Sequence, residues 1–284
     1  MDQKKMQKIA ILPNIVTAFG LSCGLFVIFK MNMIGFGGAT SQVLTAATGI
    51  LLLAAFADLL DGAIARAIKA ESDFGGIFDC LADAISFGVA PSVIVLKSLS
   101  VPAGTKLSFL VTAAAIIFSL CGVLRLVRYN VTSLAAKSDV DLAKAQKKHF
   151  TGLPIPAAAA SAISLNLFLF SEDFVSFATF SKTTEAWILS LALILLGYCM
   201  VSRWKFPSIK TLEVRVASFR VVFLTVIGAV LIFYGILNYF ALIFMILSWS
   251  YVFIAWTIAI IRKAAGQKSK TFEEFEPEPD DLDL

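Results

Sequence analysis

The sequence predicts an all-α fold, a polytopic membrane helical bundle of about eight transmembrane helices. Three observations carry that prediction. Hydrophobic residues make up 58% of the 284-residue chain and charged residues only 15%, whereas soluble domains carry about a quarter charged residues. The apolar residues fall in long runs, near or above the ~20 needed to cross a bilayer, without the alternating polarity of strands. Lys and Arg, finally, flank those runs asymmetrically.

The first span is expected near 12–33. Lys4, Lys5 and Lys8 precede it as they would in a signal peptide, but no small-residue cleavage site follows and the run is long, so it is expected to be retained. Further spans are expected near 43–65, 74–96 and 107–128. The loop from Thr132 to Phe150, with Lys137, Lys144, Lys147 and Lys148, predicts a short surface helix. The fifth span is placed at 153–170, with Pro154 and Pro156 marking its start. A run of mixed character, Ser171 to Glu185, separates it from a sixth at 185–202, and spans at 219–237 and 239–261 complete the set. From Gln267 the chain is charged and contains proline, which predicts disorder.

The formal net charge is +4, yet seven acids lie in the last fourteen residues, so the remainder is cationic. The basic stretches flank apolar spans, which suits anionic lipid headgroups and orientation signals and gives no reason to invoke nucleic acid. With the N-terminus in the cytoplasm, all of the 24 Lys and Arg except Lys30, Lys97, Lys106 and Lys182 fall on cytoplasmic segments or helix ends. Both termini are therefore expected in the cytoplasm of a cell (inner or plasma) membrane. Cys23, Cys80, Cys121 and Cys199 lie in apolar segments without ligand spacing and read as small buried hydrophobes.

The informative acids are Asp58, Asp61, Asp79 and Asp83, inside the second and third spans. An aspartate at a membrane helix centre costs roughly 2.5–3.5 kcal/mol, so four together need compensation. Asp58 and Asp61 are three residues apart and Asp79 and Asp83 four, so each pair shares a helix face. A short turn near Glu71 to Asp73 predicts antiparallel neighbouring helices whose carboxylates converge. Hard divalent cations, Mg²⁺ or Mn²⁺, suit such an oxygen-only set. The competing reading pairs the acids with Arg66, Arg125 and Arg128, which offers three cations for four acids. Gly62, Ala65, Gly75 and Gly76 interleave with the acids, either for tight helix packing or for close approach of a flat ligand.

The full stretch reads Asp58-Leu-Leu-Asp61-Gly62-Ala-Ile-Ala65-Arg66, then Gly75, Asp79 and Asp83 at spacings that fill the pattern without departure. It resembles the signature of the CDP-alcohol phosphatidyltransferases. Ser86-Phe87-Gly88-Val89-Ala90-Pro91, Leu12-Pro13-Asn14-Ile15-Val16-Thr17, Arg125-Leu-Val-Arg128-Tyr-Asn130 and Gly152-Leu153-Pro154-Ile155-Pro156 narrow the resemblance to the phosphatidylserine synthase branch, over residues 9 to 261. The resemblance implies a membrane enzyme, usually a homodimer, that moves a phosphatidyl group from CDP-diacylglycerol to an alcohol, here L-serine, releasing CMP. A transmembrane catalytic domain is expected over 1–266, and the charge of 267–284, which lies outside the resemblance, predicts an acidic cytoplasmic tail.

By that resemblance Asp58, Asp61, Asp79 and Asp83 would hold two divalent ions, with Asp83 also the general base. Gly62, Ala65 and Gly75 would make room for the cytidine, and Arg66 would contact phosphate. Arg125 and Arg128 share a face and are expected either to grip a phosphate or the serine carboxylate or to serve as orienting charge. Asn14 and Thr17 are expected to hydrogen-bond phosphate or serine, or to cap the first helix. His149, the one histidine, reads as a solvated loop residue. The rival enzymatic readings are another acceptor alcohol and an ether lipid giving archaetidylserine. A cation transporter is the rival from another class, and it is disfavoured because a conduction path would spread polar groups through the membrane depth.

Overall fold

The computed structural model describes residues 3–68, 72–102, 104–138, 149–177, 180–202, 205–207 and 239–264. In chain order these form α1 (Gln3–Asn32), α2 (Ser41–Ala67), α3 (Asp73–Asp83), a π-helical stretch (Ala84–Val89), α4 (Ala90–Ser98), α5 (Lys106–Ser138), β1 (His149–Thr151), α6 (Ile155–Leu169), α7 (Glu172–Phe177), α8 (Lys182–Val201), β2 (Lys205–Pro207) and α9 (Phe240–Ala264). Six of the helical segments are long and apolar enough to cross a membrane: Ile11–Asn32, Ser41–Ala67, Phe74–Ser98, Lys106–Thr132, Lys182–Val201 and Phe240–Ile258. Their outer faces carry large apolar side chains such as Phe19, Phe26, Phe29, Phe56, Leu191 and Phe253. That is the surface lipid tails would wet. The chain is an all-α, multi-pass membrane bundle.

α6 departs from expectation. It has 15 residues, about 22 Å at 1.5 Å per residue, and so falls short of the ~30 Å hydrocarbon core. It is nevertheless the centre of the bundle, with Ile155, Ala158, Ala159, Ser161, Ala162, Ile163, Ser164, Asn166, Leu167 and Leu169 all buried. Its small residues let α2, α4, α5, α8 and α9 approach from different sides. Pro154 and Pro156 do stand at its start. Gly152, at φ +81°, makes the turn before it, packed against the Met200 carbonyl and the Arg128 guanidinium.

Two further differences matter. α1 begins upstream of the expected span and keeps Pro13 inside it. The third span is not one uniform helix, because Ala84–Val89 opens into π geometry before α4 resumes. Pro91 explains the register change, since it has no N–H to donate and its ring crowds the carbonyl four residues back. Ala90 N–H accordingly bonds back to the Ile85 carbonyl, and the neighbouring Gly88 carbonyl accepts from Ser119 Oγ at 2.9 Å.

The expected surface helix is replaced in part: Thr132–Ser138 extends α5, and His149–Thr151 pairs antiparallel with Lys205–Pro207. His149 therefore stands on a short strand, opposite Pro207. Residues 139–148, the expected seventh span 219–237 and the tail lie outside the described residues.

Candidate active site at the α1–α2–α3 junction

The four aspartates come from two elements, and a third brings them together. α2 delivers Asp58 and Asp61 near its C-terminal end, and α3 delivers Asp79 and Asp83. The sequence implied that α2 and α3 would pack directly on one another. Instead both lie against α1, which contacts each far more extensively than they contact each other.

Close approach of α1 to α2 is possible at Gly20, where an added Cβ would already stand 3.5 Å from the Ala54 carbonyl and from Ala57 Cβ. On the other side Gly24 meets the backbone of Ser86 in the π-helical stretch, whose hydroxyl donates to the Gly20 carbonyl at 3.4 Å. The resulting cleft is lined by Thr17, Gly20 and Leu21 of α1, by Asp58 and Asp61, and by Asp79, Asp83 and Ser86.

Within it, one carboxylate oxygen each from Asp58, Asp61 and Asp79 lies within 4.8 Å of the others. Octahedral Mg²⁺ at 2.0–2.1 Å sets ligand oxygens about 3–4 Å apart, so small side-chain rotations would close the set around a cation. The donors are hard oxygens only, which suits Mg²⁺ or Mn²⁺ over softer metals. Asp83 stands outside this trio and faces Asp58 within hydrogen-bonding reach. Asp61 is 4% exposed, and its Oδ2 takes the Thr17 hydroxyl at 2.5 Å.

Asp79 reaches the cleft because α3 starts where it does. Ser72, extended at φ −133°, caps it by accepting the Gly75 amide at 3.0 Å. Gly75 is required by its neighbours: a Cβ there would meet Ser72 Oγ at 3.0 Å and Asn14 Oδ1 at 3.1 Å. Asn14 thus lies beside the start of α3, and neither it nor Thr17 caps α1, which begins well before them. Arg66 is exposed, with its guanidinium nitrogens 3.4 Å and 3.8 Å from where a Gly62 Cβ would stand. A side chain at residue 62 would press on Arg66. Ala65 is half-buried one turn along the same helix.

The two arginines of α5 part company. Arg125 interacts electrostatically with Asp58, Asp83 and Cys80, and its guanidinium lies 5.7 Å from the Tyr129 ring centre. Arg128 donates to the Val201 and Ser202 carbonyls at 2.9 and 3.5 Å, closing the C-terminal end of α8. Sequence reasoning did not find Ser72, Gly20 and Gly24, and it quoted Ser86 only within a family motif, without a place in the site. The Ser-x-x-Gly start of α3 was a readable capping signal, whereas the small face of α1 acquires meaning only from the helices set against it.

A multi-pass helical protein with a carboxylate cluster in a cleft at one end of its helices is the class that fold and site define. The chain belongs to the CDP-alcohol phosphatidyltransferase family, whose pattern matches residues 10–198. Among its relatives are three named CDP-diacylglycerol–serine O-phosphatidyltransferase. That of Helicobacter pylori is 30% identical over 86% of this chain and 93% of its own. That of Bacillus subtilis is 31% identical over 70% and 91%. The third, from Methanocaldococcus jannaschii, is 28% identical over 71% and 76%.

Proposed function

We propose that this chain is a CDP-diacylglycerol–serine O-phosphatidyltransferase, transferring the phosphatidyl group of CDP-diacylglycerol to the L-serine hydroxyl to give phosphatidylserine and CMP. The observation that carries this reading is the convergence of Asp58, Asp61 and Asp79 in one cleft, within a chain whose relatives bear that activity by name over most of its length.

Asp58, Asp61 and Asp79 would hold the divalent ions, Mg²⁺ or Mn²⁺, with Asp83 closing the shell of the second. Divalent ions held there would supply charge neutralisation for the pyrophosphate and for the departing CMP. The chain's own residues do the rest. Gly62, Ala65 and Gly75 would leave room for the cytidine, and Arg66, exposed on α2 beside Gly62, would pair with phosphate. Arg125 takes the serine carboxylate or a phosphate oxygen, a geometry its planar fork suits. Arg128, engaged with the end of α8, would tie α5 to that helix. Asn14, on α1 beside the start of α3, would donate its amide to the ligand. Asp83 accepts the serine hydroxyl proton as that oxygen attacks the lipid-side phosphorus and the bond to CMP breaks. A carboxylate is a weak base for an alcohol, so positioning and charge neutralisation supply most of the rate.

The acyl chains remain in the bilayer while serine arrives from water, so the cleft opens toward the cytoplasm. That orientation rests on the Lys and Arg asymmetry, as does placing both termini on the cytoplasmic side of the cell membrane. The enzyme is taken to act as a homodimer, on the family resemblance.

Membranes containing the chain, given CDP-diacylglycerol, Mn²⁺ and labelled serine, should form labelled lipid with equimolar CMP. Label entering lipid only from another alcohol would overturn the assignment of serine. Ion flux without CMP release in purified vesicles would overturn the transferase reading altogether.

A further inference from the structure

Thr17 lies on α1, 44 residues from the acid it touches, and is 5% exposed. Its hydroxyl oxygen stands 2.5 Å from Asp61 Oδ2 and 3.1 Å from the Pro13 carbonyl. A hydroxyl carries one proton, and the short contact has the length of a charge-assisted O–H···O⁻ bond, about 2.5–2.7 Å. The proton is therefore directed at Asp61. Asp61 is itself buried, so water competes little for that oxygen. Its neighbouring amide, Gly62 N–H, is a second donor to the same carboxylate.

We infer that Thr17 is a positioning residue for Asp61: its hydroxyl pins Oδ2, fixes the carboxylate rotamer, and turns the other oxygen toward Asp58 and Asp79. The inference rests on the metal reading of that cluster and assigns Thr17 to the protein side of the site, where the sequence suggested phosphate or serine. Partners that orient a metal ligand commonly govern affinity by 10- to 100-fold.

The test uses purified full-length protein in detergent and Mn²⁺ binding followed by electron paramagnetic resonance, beside steady-state kinetics. Thr17→Val keeps the shape and removes the donor; Thr17→Ser keeps the donor. Thr48→Val is the control, because Thr48 is an equally buried helical threonine whose hydroxyl donates only to the Leu44 carbonyl, at 2.8 Å. Thr17→Val should weaken Mn²⁺ binding about tenfold or more, raise the Mn²⁺ concentration needed for half-maximal transfer by a similar factor, and leave the KM for serine and CDP-diacylglycerol near normal at saturating Mn²⁺. Thr17→Ser should restore binding to within about threefold of the starting affinity, and Thr48→Val should not alter it.

Unchanged Mn²⁺ affinity in Thr17→Val, or a loss confined to substrate KM at saturating metal, would overturn the inference while leaving the metal site standing. Should Thr17→Val fail to fold, Thr17→Ala decides, since it also removes the hydroxyl: unchanged Mn²⁺ affinity in that variant overturns the inference equally. Failure of the unsubstituted chain to bind Mn²⁺ would remove the metal reading, and this inference with it.

Discussion

Two regions of the bundle bury polar groups in opposite ways. Around α6 neutral groups meet neutral groups: Ser164 and Ser248 hydroxyls stand 2.6 Å apart, the Trp249 indole donates to the Ser161 carbonyl at 3.0 Å, and Ser98 donates to Asn166 Oδ1 at 2.6 Å. Where α1, α2 and α3 meet, three carboxylates gather within 4.8 Å, and a threonine hydroxyl and a backbone amide are the donors the fold presents to Asp61. Interhelical bonds between neutral groups fasten membrane helices together. Convergent charges in the same setting work against the fold unless a countercharge arrives from outside. The first region holds the bundle together, and the second is held in place by it.

Asp79→Asn breaks that contrast most severely if the contrast is wrong. Transfer should fall by roughly two to three orders of magnitude or more, since Asp79 would hold the countercharge for the developing negative charge. Unfolding temperature without divalent ions should hold or rise, because one of several repelling charges is gone. A variant that unfolds would place the acids with the structural polar groups; one that keeps near-normal activity would remove Asp79 from the site.

Divalent binding sharpens the same contrast. A ligand that binds only the folded state adds about 2.7 kcal/mol of stability at a hundred times its Kd. Mn²⁺ should therefore raise the unfolding temperature of the unsubstituted chain, and a chelator should reverse the rise. Asp58→Asn should abolish the shift. Trp249→Phe, in the other region, should keep it whole while losing about 1 kcal/mol of baseline stability with the bond to Ser161. Thermal unfolding in detergent with and without Mn²⁺ reads both quantities.

The aspartate spacing made the site legible because acids are so rare in apolar spans that each one stands out. The membrane class was legible from run length for the same reason, whereas the count of eight was not: six described helices are long and apolar enough to cross, and α6 is too short. Three further things were not. α1 mediates between α2 and α3 through Gly20 and Gly24, and a small residue in an apolar helix carries no mark of what it packs against. The π-helical stretch follows from Pro91, but a proline in an apolar span signals a disturbance without saying which register resolves it. Arg125 and Arg128 look equivalent at three-residue spacing. Their division of labour depends on α8, whose last carbonyls take Arg128, a partner more than seventy residues away that no local pattern reveals.

Gly24→Ala tests the hinge between the two regions. Its Cβ would overlap the Ser86 hydroxyl and stand 2.9 Å from Ser86 Cα, where backbone must yield. Overpacking of this kind costs about 1–3 kcal/mol. Because α1 would shift and carry Thr17 with it, activity should fall together with stability, measured as kcat beside the unfolding temperature. Stability lost with kcat intact would show that the site tolerates movement of α1.

The smallest effect is expected at Ser190, and it separates buried polar groups that fasten the bundle from one that does not. Ser190 is 1% exposed on α8, and its Oγ has no hydrogen-bond partner among the described residues. A buried hydroxyl without a partner forfeits its hydration and gains nothing in return, so Ser190→Ala should lie within about 0.5 kcal/mol of neutral or be slightly stabilising. Ser164→Ala removes the 2.6 Å contact with Ser248 and should cost about 1 kcal/mol. The two substitutions delete the same atom from equally buried helical positions, so their difference isolates the hydrogen bond from the packing. Equal losses in chemical unfolding would mean that packing, and not hydrogen bonding, holds this half of the molecule.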